Sequence, residues 1–193
     1  MAKDQTKDKI MSVAAKIFAK YGFQKTTVDE IAKSAHKAKG SVYYYFESKE
    51  ELFKAVVEQE IGVLKTGLTR VIVDSTDARS MFRNYLMNRM MLMKDSVNYH
   101  EALKADFIED YEFLNDTREN FMRFEVDLMQ AVLDRGVREK IFDIKDTTAT
   151  AKVIIFAIKA IEVPFYNQHR ISEYEQTIVE LIDILVRGLG RSH

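Results

Sequence analysis

The chain has no cysteine and no tryptophan, one proline and seven glycines in 193 residues. Without cysteine there is no disulfide framework, no thiolate metal site and no cysteine nucleophile, a composition that suits a reducing compartment. One proline leaves no room for a Pro-rich linker and points away from a turn-dense β fold toward helices. Apolar runs such as Val153–Ile158 fall far short of the ~20 residues of a membrane span. The opening Met1-Ala2-Lys3-Asp4-Gln5-Thr6-Lys7-Asp8 carries no apolar signal core, so a cytoplasmic chain with no membrane partner is expected. The four histidines (36, 100, 169 and 193) are dispersed without ligand spacing, and the acidic stretch 106–119 reads as a solvated face. His100 and His169 read as ordinary surface or capping residues. No metal and no cofactor are expected. No nucleophile–base pair and no phosphate loop stand out either, so an enzyme is not expected.

What is present is a globular composition, 47% apolar and 31% charged, with a net charge of −1. That neutrality is uneven. Residues 1–46 hold nine lysines against four acidic residues, a charge of +5, and the remainder carries −6. Such asymmetry reads either as a solvated basic face or as the footprint of a nucleic-acid partner, and a motif has to decide.

Helical periodicity runs through the chain. Ile10, Val13, Ala14, Ile17, Phe18 and Tyr21 share one face, and Gly22 follows where a left-handed cap belongs. Thr27-Val28-Asp29-Glu30 and Ser48-Lys49-Glu50-Glu51 are capping boxes. The first opens a short helix to about Ala35, and another short helix spans about 39–45. The second opens a long one with Phe53, Val57, Ile61, Leu64 and Leu68 on its face. Thr76 and Asp77 open a helix with Phe82, Leu86, Met90 and Met93. A weaker helix covers 98–106, and 112–134 shows a face of Phe121, Phe124, Leu128 and Val132. Gly136 begins a break that lasts to Lys145. Asp146 caps an apolar helix from Thr147 to about Val163, where Pro164 is expected to interrupt or kink it. Ser172-Glu173-Tyr174-Glu175 is a third capping box, opening the last helix. No window alternates as a strand.

A short helix, a tight turn and a second short helix form the helix–turn–helix unit. On a helix over 39–46, Val42, Tyr45 and Phe46 face inward. Lys39, Gly40, Tyr43 and Tyr44 share the other face. A cation, a bare backbone and two amphipathic hydroxyls suit a major groove. Helix packing alone accounts for Tyr45 but not for three tyrosines at once. Residues 10–57 resemble the N-terminal domain of TetR-family transcriptional regulators. The likeness rests on Ile17-Phe18, Tyr21-Gly22-Phe23 and Thr26-Thr27-Val28-Asp29-Glu30-Ile31-Ala32. It continues through Lys39-Gly40-Ser41-Val42-Tyr43-Tyr44-Tyr45-Phe46 and Ser48-Lys49-Glu50-Glu51-Leu52.

The resemblance implies an all-α fold of about nine helices. A three-helix DNA-binding domain (residues 1–50) would precede a helical effector-binding and dimerisation domain (51–193), joined by a long helix from about 49 to 73. It implies phosphate contacts by Thr26, Thr27 and Lys49, and a reading surface of Lys39, Gly40, Ser41, Tyr43 and Tyr44. The chain departs from the family pattern at His36, Lys37 and Ala38. His36 must take the turn conformation that glycine takes elsewhere, Lys37 snorkels outward to a phosphate, and Ala38 removes a cap. The last two helices would pair with their twins in a homodimer through Ile154, Ile158, Ile161, Ile178, Leu181, Ile182, Leu185 and Leu189.

An effector pocket is drawn from Tyr85, Met90, Met93, Phe107, Tyr111, Phe121, Phe124, Phe156 and Tyr166 as walls. Arg89, Glu125 and Lys159 would be polar anchors. Methionine suits an adaptable apolar pocket, but a methionine stripe at this spacing reads more often as plain core. An inward, unpaired Arg89 or Lys159 would favour an anionic ligand and an unpaired Glu125 a cation. The implied function is a ligand-responsive repressor that binds a palindromic operator as a homodimer and is released by a small, largely apolar or amphipathic effector. An effector-free, chromosome-organising DNA binder is the alternative, and a helical enzyme the remote one.

Overall fold

The computed structural model of the chain describes residues 2–104, 111–167 and 171–190. Within them it describes all side chains but those of residues 2–4, 104, 161–167, 171–175 and 178. Nine α-helices lie among these residues: α1 (Ala2–Tyr21), α2 (Val28–Ser34), α3 (Lys39–Tyr45), α4 (Lys49–Asp74), α5 (Ala78–Lys94), α6 (Val97–Lys104), α7 (Asn115–Arg138), α8 (Thr147–Asn167) and α9 (Ile171–Leu189). A 3-10 turn, Glu112–Leu114, precedes α7. The fold is all-α among the described residues, apart from one isolated bridge between Phe142 and Gly190.

The chain divides into two units. The first holds Met1–Gly62 and Ser96–Thr117, and the second Val63–Asp95 and Arg118–His193. The division therefore falls inside α4, and α6 belongs with the N-terminal helices.

In the first unit, Ile10, Ala14 and Phe18 of α1 are buried at four-residue steps. They meet Ile31, Ala32 and Ala35 of the α2 end, Val42 and Phe46 around α3, and Leu52, Phe53, Val56 and Val57 of α4 as one core. Tyr21, expected on the buried stripe, is 53% exposed. Gly22 (φ +80°) turns the chain there in the left-handed region, and Phe23 fills the core instead. α2 carries the full capping box: the Thr27 hydroxyl accepts from the Glu30 amide and the Glu30 carboxylate accepts from the Thr27 amide. His36 adopts φ +54°, so the strained turn conformation is made with a side chain present. Ala38 precedes α3 with no side-chain cap. His100 is buried, not a surface residue, because α6 packs it into this unit; His169 lies outside the described residues.

In the second unit, α5 packs on α9, and α8 on α9. Asp77 caps α5 by accepting from the Arg79 and Ser80 amides, each at 3.0 Å. Three boundaries differ from expectation. Gly136 does not open a break, since α7 runs on to Arg138. The left-handed step falls instead at Lys140 (φ +60°). Gly136 serves packing: a Cβ there would lie 1.9 Å from the Phe142 ring, which is buried against Phe82. α8 also continues past Pro164 to Asn167. Proline removes one amide donor, and the neighbouring helical hydrogen bonds carry the backbone across it. The third capping box does not open α9, which already begins at Ile171.

Gly136→Ala should destabilise the fold by about 1–3 kcal/mol, as overpacking against a buried ring does. Gly62→Ala, where a Cβ meets nothing within 4 Å, should stabilise it by about 0.5–1 kcal/mol. Denaturant melts of the two variants check the opposite signs.

Candidate functional site

α3 presents two faces. Val42 and Phe46 are 1% and 2% exposed and anchor the helix. Tyr43 and Tyr44 are 45% and 66% exposed, Lys39 and Gly40 are exposed, and Ser41 and Tyr45 are half-buried. A Cβ on Gly40 would meet nothing within 4 Å. The fold itself has no need of glycine there, although glycine weakens a helix. The missing side chain leaves room for something outside the chain.

Lys39 Nζ donates to Asp29 Oδ2 at 2.9 Å, linking the starts of α3 and α2. Lys37 is half-buried and its Nζ donates to Thr6 Oγ1 at 3.4 Å. The exposed Lys7 places its ammonium 5.6 Å from the Phe46 ring centroid. The start of α1 thus adds a cation beside α3. Residue spacing does not mark Lys7, because only the folded α1 brings it to Phe46.

The second unit holds a buried charge cluster. Glu125 and Arg89 are fully buried. Glu125 Oε1 accepts from Arg89 Nε and, at 3.3 Å, from the Tyr85 hydroxyl. Glu125 Oε2 lies 3.4 Å from Arg89 Nη2 and 3.5 Å from Lys159 Nζ. Burial pushes the Glu125 carboxyl up, but the Arg89 and Lys159 charges, with hydrogen bonds from Arg89 and Tyr85, more than offset it and hold its pKa below the usual range. Elsewhere on this unit an open groove of about 560 Å³ runs between α7 and α8. Met122, Val126 and Phe156 line it, and Arg123, Asp127 and Lys152 charge its walls.

Residues 10–56 match the family model described as bacterial regulatory proteins, tetR family. The HTH-type transcriptional regulator QacR of Staphylococcus aureus is 27% identical over 188 residues, 96% of this chain and 98% of that protein. IcaR of Staphylococcus aureus, the negative transcriptional regulator of a biofilm operon, is 32% identical over 122 residues. That match spans 63% of this chain and about half (53%) of IcaR. The FadR regulator of Bacillus subtilis, solved in complex with stearoyl-CoA, shares the fold with a TM-score of 0.71 at 17% identity, over 90% of this chain and 96% of that one. Residues 10–56 are thus a tetR-family domain, and the chain as a whole is similar to a TetR-type transcriptional regulator.

For the TetR-type reading surface, the structure brings Thr27, Lys39, Gly40, Tyr43 and Tyr44 to the exterior, with Ser41 half-covered. Two of the residues expected to contact phosphate have partners within the chain. Thr26 is 1% exposed, and its hydroxyl donates to the Gly22 carbonyl at 2.8 Å, satisfying the end of α1. Lys49 is half-buried, its Nζ donating to the Phe23 carbonyl at 3.0 Å and lying 4.2 Å from the Phe23 ring centroid. Lys49 braces the loop after α1, and Lys37 reaches Thr6.

For the effector walls, Tyr85, Met90, Met93 and Phe121 are buried in the second unit, with Tyr85 and Phe121 at the charge cluster. Tyr111 is not among them: it packs in the first unit at 5.3 Å from Phe23. Phe124 is half-buried under the Lys65 ammonium, and Phe156 is 55% exposed in the groove, because the buried stripe of α7 centres on Glu125 and that of α8 on Ile154, Ile155 and Ile158. Phe107 lies outside the described residues, as do the side chains of Tyr166, Ile161 and Ile178. For the dimer face, Ile154, Ile158 and Ile182 are buried within their own chain. Leu181, Leu185 and Leu189 are half-buried. The apolar residues left outside are Val153 (67% exposed), Phe156, Val179 and Ile184 (62%).

Glu125→Gln should cost about 3–5 kcal/mol, because it strands buried cations. The pH dependence has a fixed sign. A carboxylate with a depressed native pKa stabilises the fold above its unfolded pKa of about 4.3 and loses that contribution as pH falls through the native value. Urea unfolding between pH 7 and 3 should therefore show the gap between wild type and Glu125→Gln narrowing only on the acid side.

Proposed function

We propose that the protein is a ligand-responsive repressor that binds a palindromic operator as a homodimer, with α3 in the major groove. The observation that carries this is the outer face of α3: two exposed tyrosines and a cation around a glycine that nothing in the fold requires. Lys39 would meet phosphate or guanine, Tyr43 and Tyr44 phosphates and thymine methyls, and Gly40 would let the backbone approach the groove. Thr27, Ser41, Lys37 and Lys7 would flank it with phosphate contacts. Two such helices would sit ~34–36 Å apart, one DNA turn.

Pairing of two chains is supported by Val153 and Phe156 on α8 and by Val179 and Ile184 on α9. Large apolar side chains left exposed on these two helices suit an interaction surface. Recognition of an effector in the second unit is supported by the Arg89–Glu125–Lys159 cluster with Tyr85. A hydrophobic core would be as stable as a buried ion network, so stability alone does not explain keeping one. Apolar walls around such a cluster suit a small, largely apolar or amphipathic molecule, and the relative FadR was solved with stearoyl-CoA. By binding the two states of the dimer unequally, the effector would shift it away from the DNA-competent one. The reading places the chain with DNA in the cytoplasm. Among the described residues no helix is long and apolar enough to cross a membrane.

Gly40→Ala separates function from stability. It should raise stability by about 0.5–1 kcal/mol while weakening binding to a preferred duplex severalfold. Paired melts and anisotropy titrations check this, and unchanged affinity would count against α3 as the reading helix. Phe156→Glu should shift the protein toward monomer in analytical ultracentrifugation while leaving its helical circular dichroism intact.

A further inference from the structure

We infer that Asp29 is a specificity-determining residue: by holding Lys39, it steers that cation toward base edges and away from indiscriminate phosphate contact. The inference rests on the DNA-reading role of α3 proposed above.

The start of α2 carries two carboxylates with different tasks. Glu30 is consumed locally, accepting from the amide and hydroxyl of Thr27, each at 2.9 Å. These hydrogen bonds hold its carboxyl below the usual range. Asp29 reaches the other way, across the turn, to Lys39 at the first position of α3. The pair is open to solvent, with side-chain exposures of 56% for Asp29 and 52% for Lys39. An ion pair this exposed adds little to stability; the carboxylate, favoured in the first turn of α2 by the helix dipole, also lies on the face offered to a polyanion.

Its effect falls on what Lys39 can do. A lysine ammonium is a point charge on a flexible stem, equally content with any phosphate. Phosphate contacts carry no sequence information. The ammonium has three donors, and Asp29 takes one. If Lys39 swings to a phosphate it leaves Asp29 uncompensated against the DNA backbone. If it stays with Asp29, two donors remain for the O6 and N7 acceptors of a guanine. The carboxylate therefore penalises the indiscriminate mode and spares the base-reading one. It discriminates by repelling the wrong contact rather than by strengthening the right one. The Asp29 hydrogen bond and charge also raise the Lys39 pKa, so the cation stays protonated while held.

The test uses the full chain and two duplexes. One is selected by the wild-type protein from a random pool, and the other is of mixed sequence. Asp29→Asn should bind the mixed duplex about two- to fivefold more tightly. Its log–log salt dependence on that duplex should steepen by up to about 0.9. The selected duplex should gain less, so the ratio of affinities falls. Asp29→Glu, which keeps the carboxylate, should retain most of the wild-type ratio. In a Lys39→Met background, Asp29→Asn should leave the ratio unchanged, which a merely structural role of Asp29 would not produce. An unchanged or higher ratio in Asp29→Asn overturns the inference, as does an equal fall in the Lys39→Met background. If the wild type selects no preferred duplex, the DNA-reading function itself fails and this inference with it.

Discussion

Phe23 occupies the point on which the geometry of the first unit turns. Its ring lies 4.9 Å from Phe53, 5.3 Å from Tyr111, 5.5 Å from Phe113 and 6.0 Å from Phe18. One ring thereby joins α1, α4 and the segment ahead of α7. Its carbonyl is held by Lys49, and the Thr26 hydroxyl locks the same loop by bonding Gly22. The six-residue connection from Gly22 to Thr27 is thus tied down at both ends by side chains as well as backbone. Because Thr27 caps α2, and α2 packs on α3, the direction of the reading helix follows from where Phe23 is buried. The aromatic pairs contribute more than area alone, through edge-on and tilted ring contacts. A helix proposed to present its outer face to a DNA groove needs such a base.

Two kinds of electrostatics operate in the two units. On the first, cations lie along the surface, and two of them have a partner that a phosphate could replace: Asp29 for the exposed Lys39, Thr6 for the half-buried Lys37. In the second, charges are concentrated and dry. Arg89, Lys159 and Tyr85 converge on one carboxylate that has no access to water. The first arrangement suits association with a long polyanion, where counterion release dominates. The second is a small target at which a single polar group makes a large difference, because low-dielectric surroundings magnify each contact. The formal charge of −1 averages these and describes neither.

Most of the helices were legible because their signals are local. The Thr27–Glu30 box, the Gly22 cap, the Asp77 and Asp146 caps, and the Phe53-to-Leu68 stripe need no knowledge of distant residues. The split of α3 into an anchoring face (Val42, Phe46) and an outer face (Gly40, Tyr44) followed from periodicity alone. What was not legible depends on contacts far apart in sequence. Thr26 reads like a phosphate ligand until the Gly22 carbonyl is seen to need its hydroxyl, and Lys49 until Phe23 is seen beneath it. Gly136 reads as a breaker because Phe142 is not visible in a local window. Periodicity misplaced the buried face of α7, centring it on Phe124 and Leu128, because a scale of apolar residues cannot choose Glu125. Only Arg89, Lys159 and Tyr85, from two other helices, make that carboxylate a core residue.

Hydrogen exchange of the intact protein with and without its selected duplex tests whether α3 reads DNA. Binding should protect the amides of residues 27–46, across α2, the turn and α3. Among the exposed residues of the second unit, those around Val126 and Gln130 of α7 should be unaffected. Protection confined to the second unit, with α3 exchanging as freely as in the unbound protein, would contradict the account.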